Sequence, residues 1–337
     1  YLILEIIIYT IIVMILEKCS RHYSKPTNNE IASTIKDPNV LEEIKRANIE
    51  NISIPQNAIE QNAYSVRIQN LQKVYRNAEC CCCQERELIA IKNLNFCVSP
   101  GECFGLLGLN GAGKTTTFKC ITKEVSATNG AIYINGNDIS NIEDLNNLFG
   151  YCPQYGAIFE YMTVNENLKF YGKIKGVNKK EIDQLVNTMI EEMTLEEYHD
   201  KLAGKLSGGN KRKLSVAISL LCNPEIVLLD EPSTGMDPEA RRFMWSVIHK
   251  ISTKGQKSSV IMTTHSMDEA ETLCKRMGIM VNGEFVCLGR ANEIKDRYGY
   301  GYDVDVRVRP IPEDFLDKNI QVLSYKNQTQ FTKDYRI

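Results

Sequence analysis

The stretch Gly108-Leu109-Asn110-Gly111-Ala112-Gly113-Lys114-Thr115 puts three glycines, a lysine and a hydroxyl within eight positions. That order is the signature of a phosphate-binding loop. Glycines at 108, 111 and 113 permit backbone conformations that turn several N–H groups toward one point. Those donors, together with the positive end of the helix that follows, suit an anion. Lys114 is expected to bridge the β- and γ-phosphates of a nucleotide and Thr115 to place its hydroxyl on Mg²⁺. Asn110, Ala112 and Thr116 fall on the same phosphate-wrapping stretch and are assigned to it.

A second group lies more than a hundred residues on. Ile226-Val227-Leu228-Leu229 is a continuous apolar run, as a strand buried on both faces requires. It delivers Asp230 to its end, where a carboxylate can bind Mg²⁺ directly or through water. Glu231 follows and is the candidate general base that positions an attacking water.

The elements that must hold these groups are readable from periodicity. Residues 64–68 alternate as a half-buried strand does, residues 88–98 read as a second, and Glu102 to Leu107 feed straight into the glycine loop. Thr115 to Lys123 reads as a helix. Residues 130–136 form a short strand ending in an Asn135-Gly136 turn. From Met162 to Lys205 the pattern is helical; Ile182, Leu185, Val186, Met189 and Met193 recur at steps of three and four. Strand character returns at Glu225 to Leu229, Ser259 to Thr263 and Met277 to Phe285. The expectation is an α/β core interrupted by a helical subdomain at about residues 155–215.

Composition narrows the partners. Lys and Arg total 40 against 42 for Asp and Glu, so a formal charge of −2 gives no electrostatic support for nucleic-acid binding. Among the 12 cysteines, Cys97, Cys103, Cys120, Cys152, Cys222, Cys274 and Cys287 read as buried reduced thiols. Cys80-Cys81-Cys82-Cys83 lacks zinc-site spacing and reads as an exposed hairpin-loop insertion, with acylation or redox chemistry as the alternative. Residues 1–16 are nearly all apolar and then meet Glu17, Lys18, Arg21, His22 and Lys25, so residues 1–18 read as the end of a membrane-spanning helix with a cytoplasmic basic flank. Residues 19–63 are polar and Asn-rich, a linker. Within it Asp37-Pro38 opens a short amphipathic helix carrying Val40, Leu41, Ile44 and Ala47, with Asp37 as cap and Pro38 in the first turn. Val304 to Val308 alternate again and open a small further unit, residues 303–337.

From about Tyr64 to Tyr302 the chain resembles the ATP-binding cassette (ABC) transporter family. Leu206-Ser207-Gly208-Gly209-Asn210 looks like that family's signature loop, followed soon by Asp230-Glu231-Pro232. The resemblance implies that Ser207, Gly208 and Gly209 close over ATP held by a partner domain, with Lys211, Arg212 and Lys213 opening a helix whose dipole points at the anion. It implies further that Gln154 senses Mg²⁺ and the water, that His265 contacts the γ-phosphate, and that Gly235-Met236-Asp237 links the two sites. Tyr75 is placed as the aromatic that stacks on adenine. Closer still, Gly209 to Ser215, Asp230 to Pro238, Gly101 to Gly108 and Arg276 to Gly283 look like the second nucleotide-binding domain of the A subfamily.

The resemblance carries an architecture: a multi-pass membrane protein with two membrane domains and two ATPase domains, most often linked to lipid export. On it the chain divides into the end of a transmembrane helix (1–18), a cytoplasmic linker (19–63), a nucleotide-binding domain (64–302) and the start of a small α+β regulatory domain (303–337). The cofactors are ATP and Mg²⁺. The partners are a second nucleotide-binding domain, the transmembrane domains, into which residues 155–163 couple, and a lipid-like substrate, but no nucleic acid. The competing class is a soluble ABC-type ATPase acting on ribosomes or DNA. It calls for a tandem domain, a coiled-coil insertion or a basic surface.

Overall fold

The computed structural model describes residues 37–48, 64–77, 86–145, 148–155, 157–253 and 258–299. The expectations for residues 1–18, for Cys80 to Cys83 and for residues 303–337 lie outside these. Among the described residues no helix is long and apolar enough to cross a membrane.

Two sheets carry the structure. An antiparallel sheet holds β1 (Val66–Asn77), β2 (Arg86–Val98), β4 (Asn129–Ile134) and β5 (Asn137–Asp138) in the order β2-β1-β4-β5. The larger sheet contains β3 (Cys103–Leu107), β6 (Phe149–Cys152), β7 (Ile226–Asp230), β8 (Ser259–Thr264), β9 (Arg276–Val281) and β10 (Glu284–Gly289). Its order is β10-β9-β3-β8-β7-β6, with only the β9–β10 pair antiparallel. Helices α1 (Pro38–Asn48), α2 (Lys114–Ile121), α3 (Val164–Ile174), α4 (Ile182–Glu192), α5 (Gly208–Leu220), α6 (Pro238–Thr253), α7 (Met267–Leu273) and α8 (Ala291–Tyr298) complete it.

Strand β7 shows why the larger sheet must be central. Side chains alternate between faces of a strand. Ile226 and Leu228 enter one apolar cluster with Phe104, Phe118 and the antiparallel sheet's Ile68 and Phe96. Val227 and Leu229 enter another with Val260, Met262 and the helical residues Leu168, Val186 and Leu214. Both faces are covered, so the run has no polar position until Asp230. The helical segment between β6 and β7 rests on the second cluster, with Ile182, Val186 and Met189 of α4 buried as the spacing required.

Three local expectations change. The run from Met277 to Phe285 is a hairpin, not one strand: Asn282 and Gly283 both adopt positive φ (49° and 80°), the geometry a two-residue Asn-Gly turn needs. Strand β6 was not foreseen; its four residues are too few to show a period. Cys222 is exposed, whereas Cys97, Cys103, Cys120, Cys152, Cys274 and Cys287 are buried free thiols. Burial raises the Cys97 pKa to about 12 and that of Cys287 to about 11.

Helix α1 begins as its sequence proposed, with the Asn39 amide donating to Asp37 Oδ1 at 3.0 Å. It is packed into the domain rather than standing in a free linker. Val40 and Ala47 are buried, Asn39 donates to the Leu288 carbonyl, and Glu43 accepts the Cys97 amide and pairs with Arg276.

Candidate functional site

Strands β3, β6, β7 and β8 are mutually parallel, so their C-terminal ends share one edge of the sheet. Leu107 is in register with Thr264, Asp230 with Thr263, and Cys152 with Leu229. Whatever follows these strands must converge there, the edge where open α/β sheets bind ligands. The followers are the glycine loop, Pro153-Gln154, Glu231 and His265.

The glycine loop is held from below. Gly108 donates to the Thr264 carbonyl and the Gly283 amide donates to the Ala112 carbonyl. Gly113 has φ 107°, and a Cβ there would stand 2.5 Å from the Ala90 carbonyl oxygen, so only glycine fits. Gly111 also has positive φ, and Asn110 and Gly111 are exposed while Ala112 is buried beneath them. Helix α2 then starts at Lys114, with Thr115 exposed and Thr116 half-buried in its first turn. The Lys114 ammonium is folded back onto the Gly108 and Leu109 carbonyls at 2.6 and 3.2 Å, inside the curl of its own loop.

At the end of β7 the two carboxylates separate. Asp230 accepts a hydrogen bond from Thr115 Oγ1 at 2.9 Å and another from Thr263 Oγ1. Glu231 takes a positive φ of 49°, uncommon for a non-glycine residue, and its amide donates to the Thr263 carbonyl and hydroxyl. That turn aims its side chain back over the sheet edge. Its carboxylate accepts from Gln154 Nε2 and Thr234 Oγ1, both at 3.1 Å. Lys114 Nζ lies 3.8 Å from one carboxylate oxygen and His265 Nδ1 3.6 Å from the other. Glu231 is 6% exposed, while the His265 side chain is 55% exposed and reaches in from solvent.

The sequence-derived residues therefore divide into three groups. Lys114, Thr115, Gln154, Asp230, Glu231 and His265 meet at one edge. Tyr75 sits on β1 of the other sheet, paired with Leu88 and with the Lys73 ammonium 5.0 Å from its ring centroid. Ser207 caps α5 by accepting the Asn210 amide, and with Gly208 it is exposed. A Cβ on Gly208 would meet nothing within 4 Å, so this helix N-terminus is open to a partner surface.

The basic residues after it do not reinforce that anion-facing end. Lys211 pairs with Glu160, Lys213 donates to Thr194 Oγ1 and lies over the Phe243 ring, and Arg212 turns inward onto main-chain carbonyls. Any anion at this end would therefore meet the first amides of α5 and not these side chains. Burial lowers the Lys213 pKa, against the pull of Asp237 and neighbouring glutamates. Thr263 and Thr234 were missed by sequence reasoning, and Arg212 was read only as one of three cations opening α5. Thr263 was detectable only as a hydroxyl directly after the apolar run Val260 to Met262.

The donor set suits a magnesium nucleotide. Mg²⁺ is commonly bound by one or two protein oxygens plus phosphate and water. Thr115 Oγ1 and Asp230 Oδ2, 2.9 Å apart at the loop's foot, supply hard oxygen ligands of that kind. The glycine loop supplies the cradle that a Cβ at residue 113 would close.

Fold and site together define a P-loop nucleotide-binding domain. Residues 91–234 match the family described as ABC transporter. ATP-binding cassette sub-family A member 2 of Homo sapiens is 45% identical over 235 residues, covering 69% of this chain and 9% of that protein. The retinal-specific phospholipid-transporting ATPase ABCA4 of Bos taurus is 44% identical over 252 residues, 74% of this chain and 11% of that protein. The phospholipid-transporting ATPase ABCA3 of Homo sapiens is 43% identical over 233 residues, 69% of this chain and 13% of that protein. The alignments thus span about a tenth of the length of these relatives. The bacterial ABC transporter cassette MJ0796, solved as a dimer, superposes with a TM-score of 0.61 at 22% identity, covering 67% of this chain and 98% of that one. An ATP-binding subunit of an ABC transporter gives a TM-score of 0.59 at 26% identity, over 69% of this chain and 93% of that one. The chain carries an ABC transporter domain, and the part that aligns with these relatives matches a nucleotide-binding domain of the A subfamily.

Proposed function

We propose that this chain is the second ATPase domain of a multi-pass membrane transporter that moves lipid, with the domain on the cytoplasmic side. One observation carries the ATPase part: a single carboxylate, Glu231, is contacted at once by Gln154, Lys114, Thr234 and His265, beside the Thr115–Asp230 pair. The lipid substrate is supported by the similarity to proteins named as phospholipid-transporting ATPases. Residues 1–18 would be the end of a spanning helix, 19–63 the linker that enters the domain, 64–302 the ATPase with its helical subdomain near 155–215, and 303–337 the start of a regulatory domain.

In this reading the amides of residues 108–113, with Thr116 behind them, surround the phosphates of ATP, and Lys114 leaves its own loop carbonyls for the β- and γ-phosphate oxygens. Tyr75 stacks on the adenine. Thr115, Asp230 and Gln154 hold Mg²⁺, which when bound neutralises charge on the phosphates. Glu231 accepts the proton of a water held by Gln154. That water forms a bond to the γ-phosphorus as the bond to the β–γ bridging oxygen breaks, giving ADP and phosphate. His265 donates to the γ-phosphate. Ser207, Gly208 and Gly209 serve the ATP of a second nucleotide-binding domain, as pairing of the cassette fold in a dimer supports. Residues 155–163, where Tyr155 and Tyr161 are strongly exposed, would receive the cytoplasmic loops of the membrane domains.

The test is Glu231→Gln in the intact protein. Turnover of MgATP should fall ~10²–10⁴-fold, the range for loss of a catalytic base, while ATP binding persists. ATP-dependent movement of a labelled phospholipid across a vesicle membrane should stop with it. Unchanged turnover removes Glu231 as the base, and ATP hydrolysis without lipid movement removes the substrate class.

A further inference from the structure

Arg212 lies one turn inside α5, and its guanidinium ends among carbonyls that belong to two different catalytic loops. Nε donates to the Pro232 carbonyl at 3.1 Å, Nη1 to those of Pro153 and Gln154 at 2.7 and 3.1 Å, and Nη2 to those of Glu231 at 2.9 Å and of Asp230. All five acceptors are main-chain oxygens. Two sit in the turn after β6, one on Asp230 at the very end of β7, and two, of Glu231 and Pro232, in the turn that follows it. Buried carbonyls without partners are costly, and only arginine offers a planar fork of five N–H donors that can serve both turns together.

The second of those turns is the one that needs support. Glu231 occupies a positive φ, a conformation that persists only where its surroundings over-determine it. From above, Thr263 fixes its amide; from below, Arg212 fixes its carbonyl. The same guanidinium fixes the carbonyl of Gln154, whose side chain touches the Glu231 carboxylate. At the other end of the same helical turn lie the exposed Gly208, Gly209 beside Asp237, and the Ser207 hydroxyl.

We propose that Arg212 is a positioning residue for hydrolysis: it sets Glu231 and Gln154 in register with each other and ties both to the exposed N-terminus of α5. A partner-bound phosphate that engages Ser207 to Gly209 would then be felt, through one rigid turn and one guanidinium, at the base of this domain's own site. The proposal rests on the ATPase reading above and adds a route by which one composite site reports to the other.

The experiment uses the intact protein with Arg212→Lys and Arg212→Met. Lysine keeps the charge and most of the stem but presents a single ammonium that cannot bridge both turns. The expected result is a kcat lower by ~10–100-fold in the Lys variant, as small misplacements of reacting groups produce, with ATP affinity measured in EDTA changed less than about twofold. Arg212→Met should fall at least as far. In a Glu231→Gln background, Arg212→Lys should lower residual single-turnover hydrolysis by less than about twofold, because it acts through the group already removed. The proposal is overturned by a folded Lys variant that keeps its kcat, or by a full additive loss beside Glu231→Gln. It is equally overturned if kcat falls only together with ATP affinity, or if the Lys variant does not fold, since a purely architectural staple would then be the whole role. Wild-type protein that hydrolyses no ATP would instead sink the ATPase reading; wild-type turnover that Glu231→Gln removes leaves the Arg212 arms to judge this inference alone.

Discussion

Thr115 Oγ1 donates to Asp230 Oδ2 at 2.9 Å, which joins the first turn of α2 to the end of β7 across two separate stretches of sequence. The bond puts two hard oxygen ligands side by side and orients the carboxylate, whose other oxygen is held by Thr263. Replacing either group should act on the metal before it acts on the nucleotide. Asp230→Asn should raise the Mg²⁺ concentration for half-maximal hydrolysis by ~10–100-fold, the order seen when groups supporting a metal site are lost. Metal-free ATP binding should persist. A titration of activity against Mg²⁺ that superposes on the wild type would remove Asp230 from the metal.

Lys114 tests the cradle itself. Its ammonium is nearly buried and satisfied by carbonyls, so its charge is poised inside the loop without being spent on a strong ion pair. A charge-assisted hydrogen bond to phosphate contributes about 1.5–3 kcal/mol, so Lys114→Ala should weaken ATP binding by roughly 10–100-fold. Equilibrium binding of a fluorescent ATP analogue reads this directly. Undiminished affinity would end the phosphate role.

Ser207 tests whether the site is shared with a second domain. It is exposed at the start of α5, and nothing crowds Gly208 beside it. A bulky cation there, Ser207→Arg, should abolish turnover at the facing site while changing this domain's own ATP affinity less than about twofold. Loss of binding to this domain would contradict a shared site.

The sequence disclosed most where one local rule decided the outcome. The glycine loop needs positive φ and close backbone approach, and Gly111 and Gly113 adopt the first while Gly113 requires the second. Strand β7 needs two covered faces, and its unbroken apolar run reports that. What stayed hidden depends on distant packing. Arg212 could not be told from Lys211 and Lys213 by type or spacing, because its partners lie in segments about 20 and 60 residues away. The Asn282-Gly283 hairpin was present in the letters, but a long strand pattern ran across it. Helix α1 was legible as a helix and illegible as part of the domain, since Glu43 is a surface residue type made internal by Arg276.

That last pair supports a stability prediction. Arg276 donates through Nε to Glu102 Oε1 at 2.7 Å, through Nη1 to Glu43 Oε2 at 3.0 Å and through Nη2 to the Cys97 carbonyl at 2.7 Å. Burial works against its charged form, but the hydrogen bonds and charges of Glu102 and Glu43 outweigh it, and its pKa is raised above the usual arginine value. Both glutamates are almost fully buried, so neither has water to fall back on. Arg276→Met should therefore cost about 3–5 kcal/mol of unfolding free energy, the range for removing one partner from a buried ion pair. Adding Glu102→Gln should return part of that loss, because its carboxylate is the one left without a cation while Glu43 keeps Arg46 at 3.2 Å, and the Ser99 amide keeps an acceptor. Urea unfolding of the two variants against wild type measures both numbers. A single-variant loss below about 1 kcal/mol would show that the Arg276 pairs contribute no more than exposed ion pairs do and are not what holds α1 in the domain.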